Sequence, residues 1–209
     1  MSHQPPSPAE GNLLFPVFLK IDLLQILLVG GGYVGLEKLQ ALLKNNPNAK
    51  ITLVGKTIRP EIRQLAALHP SVWLLEKGFD PDDLHGIDIL ILATDSRQTN
   101  ACIRALAKQQ GILTNVADTP ELCDFYLGST VKKGDLKIGI STNGKSPTFA
   151  KRFRELLEEG IPDEVDLLLH NLQQLRSTLH GDFQEKVKLL NAYTASLVAQ
   201  AAPKPDEVP

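Results

Sequence analysis

An apolar run that ends in a glycine-rich loop constrains the fold more than any other feature of this sequence. Residues 25–29 read Gln-Ile-Leu-Leu-Val, and residues 30–35 read Gly-Gly-Gly-Tyr-Val-Gly. A continuous apolar run bounded by glycine suits a central parallel strand, buried on both faces. Leucines then recur at helical spacing as far as Leu43. The order of strand, glycine turn and helix predicts the first unit of a dinucleotide-binding domain.

The loop fits the pattern GxGxxG, in which each glycine has its own task. Gly30 permits the tight turn, Gly32 lets the backbone approach a pyrophosphate, and Gly35 lets helix and strand pack closely. The helix N-terminus would offer its free N–H groups and partial positive charge to the phosphates. We therefore predict that these glycines hold a dinucleotide, the alternative being a simple tight turn without a ligand.

Further apolar runs predict a doubly wound sheet. The strands are expected at Lys50–Val54, Val72–Leu75, Ile87–Ala93 and Ile112–Val116, and the helices at Glu61–Leu68 and Thr99–Gln110. This alternation implies parallel strands joined by right-handed crossovers. The predicted class is α/β, with a Rossmann-type domain over residues 13–117.

The pattern changes after this domain. Two short runs, Phe125–Val131 and Leu136–Ser141, flank the turn residues 132–135 and predict an antiparallel hairpin. Helical spacing then predicts helices from Pro147 to about Gly160, at Val165–Leu179 and at Phe183–Val198. We expect a hairpin region at 118–146 and a helical region at 147–201, which together pair chains or close over a substrate. Residues 1–12 and 202–209 are predicted to be disordered.

Composition excludes several classes of protein. With 22 basic and 24 acidic residues the formal charge is -2, which does not suit a general nucleic-acid binder. The longest apolar stretch is broken by glycines and too short to span a membrane, and no targeting signal is visible, so a cytoplasmic protein is expected. Cys102 and Cys123 are interpreted as free, mostly buried thiols. No histidine or cysteine spacing suits a metal, so no metal site is predicted.

Polar residues follow the fourth and fifth predicted strands, where ligands of such sheets bind. The first group is Thr94-Asp95, and we interpret Asp95 as the N-cap of the next helix. The second group contains Asp118, for which two interpretations stay open. It caps a turn before Thr119-Pro120, or it accepts a proton while a hydride leaves for a nicotinamide.

No carboxylate ends the second predicted strand, where one usually binds the adenosine ribose. The sequence there reads Gly55-Lys56-Thr57, and the next acid is Glu61. Lys56 either meets the 2′-phosphate of NADP or is an ordinary solvated lysine, and we favour the second interpretation. These residues alone leave NAD and NADP open.

Five segments form a pattern more specific than the glycine loop. They are Phe15–Leu19, Val29–Val34 with Lys38, Ala93–Asp95, Asn115–Pro120 and Ile140–Pro147. In order and spacing they resemble the precorrin-2 dehydrogenase and sirohydrochlorin ferrochelatase family, which is also the N-terminal module of siroheme synthase. The resemblance covers residues 14–179. This chain has Gly35 where the family commonly has alanine, and Lys145 lies where a threonine is common.

The resemblance implies oxidation of precorrin-2 to sirohydrochlorin with NAD, on the route to siroheme. In some members it also implies insertion of ferrous iron into sirohydrochlorin, and it implies a homodimer built through the region after the Rossmann domain. The family's catalytic aspartate falls on Asp118. Its cofactor contacts fall on Tyr33, Val34, Lys56 and Thr57, to which we add Thr94.

The implied substrate carries many carboxylates, so cations and hydrogen-bond donors should bind it. The expected substrate-binding residues are Asn115, Ser141, Thr142, Lys145 and Arg152. Of these, Lys145 and Arg152 flank the start of a helix whose N-terminus is expected to face the crevice. The alternative function is a nucleotide-sensing Rossmann module without chemistry. A Tyr-x-x-x-Lys pair, typical of reductases of small carbonyl compounds, is absent from the sequence.

Overall fold

The computed structural model describes residues 11–178 and, further on, residues 184, 186–188, 190–192 and 194. Contacts divide the chain into two compact units. One holds the described residues up to 129 and residues 141–150, and the other holds residues 130–140 and the described residues from 151 onward. The predicted tail at 202–209, residues 1–10 of the predicted N-terminal tail and most of the predicted helix Phe183–Val198 lie outside the described residues.

The first unit is built on a five-stranded sheet with the order β3-β2-β1-β4-β5. The strands are β1 Gln25–Val29, β2 Lys50–Gly55, β3 Val72–Glu76, β4 Ile89–Leu92 and β5 Leu113–Val116. Every neighbouring pair is parallel, which confirms the predicted Rossmann-type sheet. Val29 lies opposite Val54 on one side and Leu92 on the other, so three strands end at the same level.

Helices cover both faces of this sheet. They are α1 Tyr33–Asn45, α2 Pro60–Ala67 and α3 Arg97–Gln109. Because side chains alternate along a strand, Leu28 of β1 packs with Leu39 of α1, whereas Leu27 packs with Ile103 of α3. Burial on both faces explains why the central strands read as continuous apolar runs.

The hairpin begins later than expected. Its strands are β6 Ser129–Lys133 and β7 Leu136–Ile140, so the prediction of a strand from Phe125, with Lys132 and Lys133 in the turn, was wrong. The turn is made by Gly134, which has φ 54°, and by Asp135. The residues before Ser129 run along the edge of β5 instead, where the Asp124 N–H donates to the Thr114 carbonyl at 2.8 Å.

Two described helices follow the hairpin, α4 Pro147–Gly160 and α5 Val165–Thr178, close to their predicted bounds. Ser146 caps α4 by accepting the Phe149 N–H at 3.1 Å. In the second unit the Asp166 carboxylate accepts the Asp135 N–H at 2.7 Å, which holds α5 to the hairpin turn. None of the helices in the described part of the chain is long and apolar enough to cross a membrane.

Candidate functional site

A crevice of about 690 Å³ opens in the first unit beyond the carboxyl ends of its strands. Its size is that of a small-molecule or cofactor site. The lining gathers most of the predicted cofactor residues with the predicted catalytic residue: Gly30, Gly32, Tyr33, Val34, Lys56, Thr57, Thr94 and Asp118. Gly35 is buried behind this lining, where a Cβ atom would overlap the Gly30 carbonyl oxygen.

The glycine loop packs closely between the segments that follow β4 and β2. Gly30 has φ 130°, and a Cβ atom on it would overlap the Ala93 carbonyl group. A Cβ on Gly31 would overlap the Thr57 carbonyl oxygen, and the Gly31 oxygen accepts the Arg59 N–H at 3.1 Å. Gly31 occupies a variable position of GxGxxG, so the sequence pattern gave no signal for this contact.

The N-terminus of α1 is open toward a ligand. Gly32 is the N-cap residue, no described side chain caps the helix, and a Cβ on Gly32 would meet nothing within 4 Å. The unpaired N–H groups of the first turn and the positive end of the helix dipole favour phosphate oxygens. The loop and the crevice volume therefore fit a dinucleotide.

Arg59 packs against Tyr33, which lines the crevice, and was not predicted as a site residue from the sequence. Its guanidinium lies 3.5 Å from the ring centroid of Tyr33 and 2.6 Å from a Glu61 carboxylate oxygen. That carboxylate raises the pKa of Arg59. Glu76 accepts the Ile58 N–H at 3.1 Å, which further fixes this loop. In the described structure the carboxylates of the crevice lining are Asp95 and Asp118, so no acid lines the end of β2.

Half-buried Thr94 and buried Asn100 form a hydrogen-bonded pair that holds the end of β4. Thr94 donates its hydroxyl to the side-chain oxygen of Asn100 at 2.6 Å, and the Asn100 amide donates to the Thr94 carbonyl at 3.2 Å. Asn100 is 2% exposed and lines the crevice. It was not predicted as a site residue, because nothing in the sequence marks an asparagine within a helix as functional. The expectation that Asp95 caps α3 was wrong, since Ser96 accepts the Thr99 N–H at 3.2 Å.

Asp118 lies in the turn that follows β5. The turn is closed by a 3.4 Å hydrogen bond from the Thr119 N–H to the Val116 carbonyl. Asp118 has φ 55°, a left-handed conformation that is uncommon for a side chain other than glycine. The residue is exposed to the crevice, and its carboxylate makes no hydrogen bond or ion pair with another described residue. The carboxylate is therefore open to the crevice.

Four of the five predicted substrate residues lie in the first unit but outside the crevice lining. Asn115 is buried and donates to the Phe125 carbonyl at 2.9 Å. The Ser141 hydroxyl accepts a hydrogen bond from the Asn12 amide at 3.2 Å, and the Thr142 hydroxyl accepts the Ser146 N–H at 3.2 Å. Lys145 is exposed.

Arg152, the fifth predicted substrate residue, belongs to the second unit, where it pairs with Glu155 at 2.9 Å. No group of three or more potential ligands that could hold a metal occurs among the described residues. Cys102 is exposed and Cys123 is half-buried, so the expectation of two mostly buried thiols was wrong for Cys102.

Two family models match the chain. The first is described as "Putative NAD(P)-binding" and matches residues 17–129. The second is described as sirohaem biosynthesis protein central and matches residues 133–159. The first match covers more than half of the chain.

Curated relatives and a solved structure agree with these models. "Siroheme synthase 1" of Aeromonas salmonicida (strain A449) is 34% identical over 168 residues, which is 80% of this chain and 35% of the relative. "Siroheme synthase" of Pseudoalteromonas translucida (strain TAC 125) is 36% identical over 173 residues, 83% of this chain and 34% of the relative. The chain thus spans about a third of the length of these relatives.

The structure of "SirC, precorrin-2 dehydrogenase" superimposes with a TM-score of 0.64 at 25% identity. The alignment covers 90% of this chain and 95% of that protein. The fold of this chain is therefore shared with SirC over nearly the whole length of both proteins.

Proposed function

The chain belongs to the NAD(P)-binding family of siroheme synthases and precorrin-2 dehydrogenase, and we propose that it oxidises precorrin-2 to sirohydrochlorin with NAD. The observation that carries the proposal is the position of Asp118, whose free carboxylate lines the same crevice as the glycine loop. A carboxylate beside the redox end of a dinucleotide is the arrangement that an oxidation with proton loss needs.

Each part of the crevice has a role in this reaction. The N–H groups after Gly32 would bind the pyrophosphate, and the loop containing Lys56 and Thr57 would contact the adenosine end. Thr94, fixed by Asn100, lines the crevice. When bound, the dinucleotide supplies a nicotinamide that accepts a hydride from the substrate. The Asp118 carboxylate accepts the accompanying proton and passes it to solvent, so the products are sirohydrochlorin, NADH and one proton.

The decisive experiment supplies the protein with precorrin-2 and NAD and follows NADH fluorescence and the sirohydrochlorin spectrum. Asp118→Asn should lower kcat about 100-fold or more, which is the usual loss when a general base is removed. Its dissociation constant for NAD should change less than about threefold, because the carboxylate does not hold the phosphates. Glu121→Gln, an exposed carboxylate outside the crevice lining, is the matched control and should keep full activity.

The same experiment distinguishes the proposed dehydrogenase from the alternative, a nucleotide-sensing module without chemistry. A nucleotide-sensing module would bind NAD in calorimetry but would form no sirohydrochlorin with any variant. Parallel titrations with NADP test the choice of dinucleotide. Preference for NADP would contradict the NAD proposal and would favour the interpretation in which Lys56 meets the 2′-phosphate.

Iron insertion, dimer formation and a cytoplasmic location are further parts of the proposal, supported by the family resemblance. For iron insertion, the macrocycle nitrogens would bind ferrous iron as a substrate and Asp118 would accept their protons. The test adds ferrous ions to sirohydrochlorin with wild type and Asp118→Asn and compares both with the uncatalysed rate.

The dimer is also supported by exposed leucines of the second unit, Leu156 and Leu167, each 62% exposed. Light scattering during size-exclusion chromatography measures it directly.

A further inference from the structure

The turn that carries Asp118 is held by a segment that lies further along the chain. Residues 122–124, here called the edge segment, run beside the free edge of β5. The Cys123 sulfur accepts the Val116 N–H at 3.2 Å and lies 3.2 Å from the Val116 carbonyl oxygen, to which its S–H can donate. It also lies 3.5 Å from the Thr119 carbonyl oxygen. One thiol therefore contacts the first and the last residue of the four-residue turn.

This turn needs such support. Asp118 occupies its third position with φ 55°, where glycine and asparagine are preferred and aspartate is tolerated at a cost of about 1 kcal/mol. Residues held in such conformations persist when their surroundings over-determine them. Here the supports are the Thr119 N–H bond to Val116, a 3.2 Å bond from the Thr119 hydroxyl to the Ala117 carbonyl, and the thiol.

The edge segment is itself fixed to the sheet and to α3. Arg104 of α3 donates to the Leu122 carbonyl at 3.0 Å and to the Asp124 carboxylate at 2.6 Å, and its side chain is 13% exposed. The other Asp124 oxygen accepts the Thr114 N–H at 2.9 Å. Cys123 is thus clamped between two anchored neighbours. Burial raises the pKa of its thiol, so the sulfur keeps the proton that it donates to the turn.

We propose that Cys123 is a positioning residue, which aims the Asp118 carboxylate into the crevice by holding both ends of its turn. This role deepens the proposed function and rests on it, because the position of the Asp118 carboxylate is then set by a thiol that does not itself line the crevice. The nucleotide-binding half of the crevice does not depend on this thiol, since the glycine loop contacts the segments after β2 and β4.

Three variants test the role. Cys123→Ala removes the hydrogen bonds of the thiol, Cys123→Ser restores a donor and an acceptor, and Cys102→Ala makes the same change at an exposed thiol on α3. We expect Cys123→Ala to lower kcat about ten- to 100-fold, because displacement of a reacting group by about 1 Å has effects of this size. The KM for NAD should stay within about twofold, Cys123→Ser should recover much of kcat, and Cys102→Ala should match wild type.

Amide hydrogen exchange of Val116 and Thr119, whose N–H groups donate to the Cys123 sulfur and to the Val116 carbonyl, gives a readout that does not depend on catalysis. It should accelerate in Cys123→Ala and return toward wild type in Cys123→Ser. In an Asp118→Asn background, Cys123→Ala should cause no further loss of activity, because the group that it positions is already gone.

The outcomes separate this proposal from the proposed function. If Asp118→Asn retains full activity while exchange accelerates in Cys123→Ala, the catalytic role of Asp118 fails but the thiol still holds the turn. If Cys123→Ala keeps wild-type kcat and wild-type exchange, the positioning role is overturned. A fall in melting temperature with unchanged kcat per folded molecule also overturns it, since that is the result of an ordinary packing contact.

Discussion

Substitution of Gly31 by alanine should lower the stability and the NAD affinity of this protein more than the pattern GxGxxG suggests. The pattern leaves this position free, and its backbone angles lie outside the left-handed region, so alanine introduces no strain in φ. The added Cβ, however, would lie 3.0 Å from the Ile58 Cα and closer still to the Thr57 carbonyl oxygen. Both partners are backbone atoms, which cannot move aside as a flexible side chain could.

The expected decrease in the free energy of unfolding of Gly31→Ala has two sources. Relief of the overlap requires the loop after β2 to move by about 1 Å, and overpacking of this kind costs about 1–3 kcal/mol. The same movement weakens the 3.1 Å hydrogen bond from the Arg59 N–H to the Gly31 oxygen, which adds about 1 kcal/mol. A total of about 3 kcal/mol lowers the melting temperature by about 6–12 °C for a protein of this size.

Gly32→Ala is the matched control, since a Cβ there meets nothing within 4 Å. Its melting temperature should stay within about 3 °C of wild type, a change of no more than about 1 kcal/mol. Calorimetric titration with NAD should show weakened binding for both variants, through loop displacement at Gly31 and through the added methyl group at Gly32. If Gly31→Ala melts and binds NAD like wild type, the close approach of the two loops is refuted.

Three further predictions concern other parts of the first unit. Asp118→Gly should leave the free energy of unfolding within about 1 kcal/mol of wild type in urea titrations while abolishing turnover, because glycine adopts φ 55° freely. Arg63 lowers the pKa of Glu76 from its ordinary value of 4.5, so the stabilising effect of Glu76 is complete above that value and lost as the pH falls through the lowered pKa. The urea midpoints of wild type and Glu76→Gln should therefore converge in acid, and a gap independent of pH would contradict this. Iodoacetamide should label exposed Cys102 well before Cys123, whose pKa is raised by burial, as peptide mass spectrometry would show.

The sheet could be predicted from sequence because its central strands are buried on both faces. The bounds of β1 match the apolar run at residues 25–29, and those of β2 and β3 match within one residue. Local burial dictates local composition there, so the pattern carries the information. The crevice could be located for the same reason, since the fold places ligands at the strand ends and Asp118 follows one of them.

The remaining features depend on contacts that are distant in sequence. Phe125 was assigned to a strand, but Cys123 and Asp124 use their side chains to pair with β5, and apolar periodicity does not register such pairing. The role of Gly31 depends on the approach of a loop about 26 residues later in the chain. The capping residue of α3 was misplaced by one position, because Asp95 and Ser96 are both good caps and only geometry selects between them.

These contacts divide the crevice into two halves that are built differently. Around the glycine loop, position is set by backbone atoms in close contact, so any side chain added at Gly31 is felt as steric overlap. Around Asp118, position is set by side-chain hydrogen bonds from Cys123 and Thr119, which can be removed without overlap. Substitutions in the first half should therefore change stability and nucleotide affinity together. Substitutions in the second half should change turnover while nucleotide affinity is retained, and this separation is what the proposed function requires, since it assigns dinucleotide binding and proton transfer to different halves.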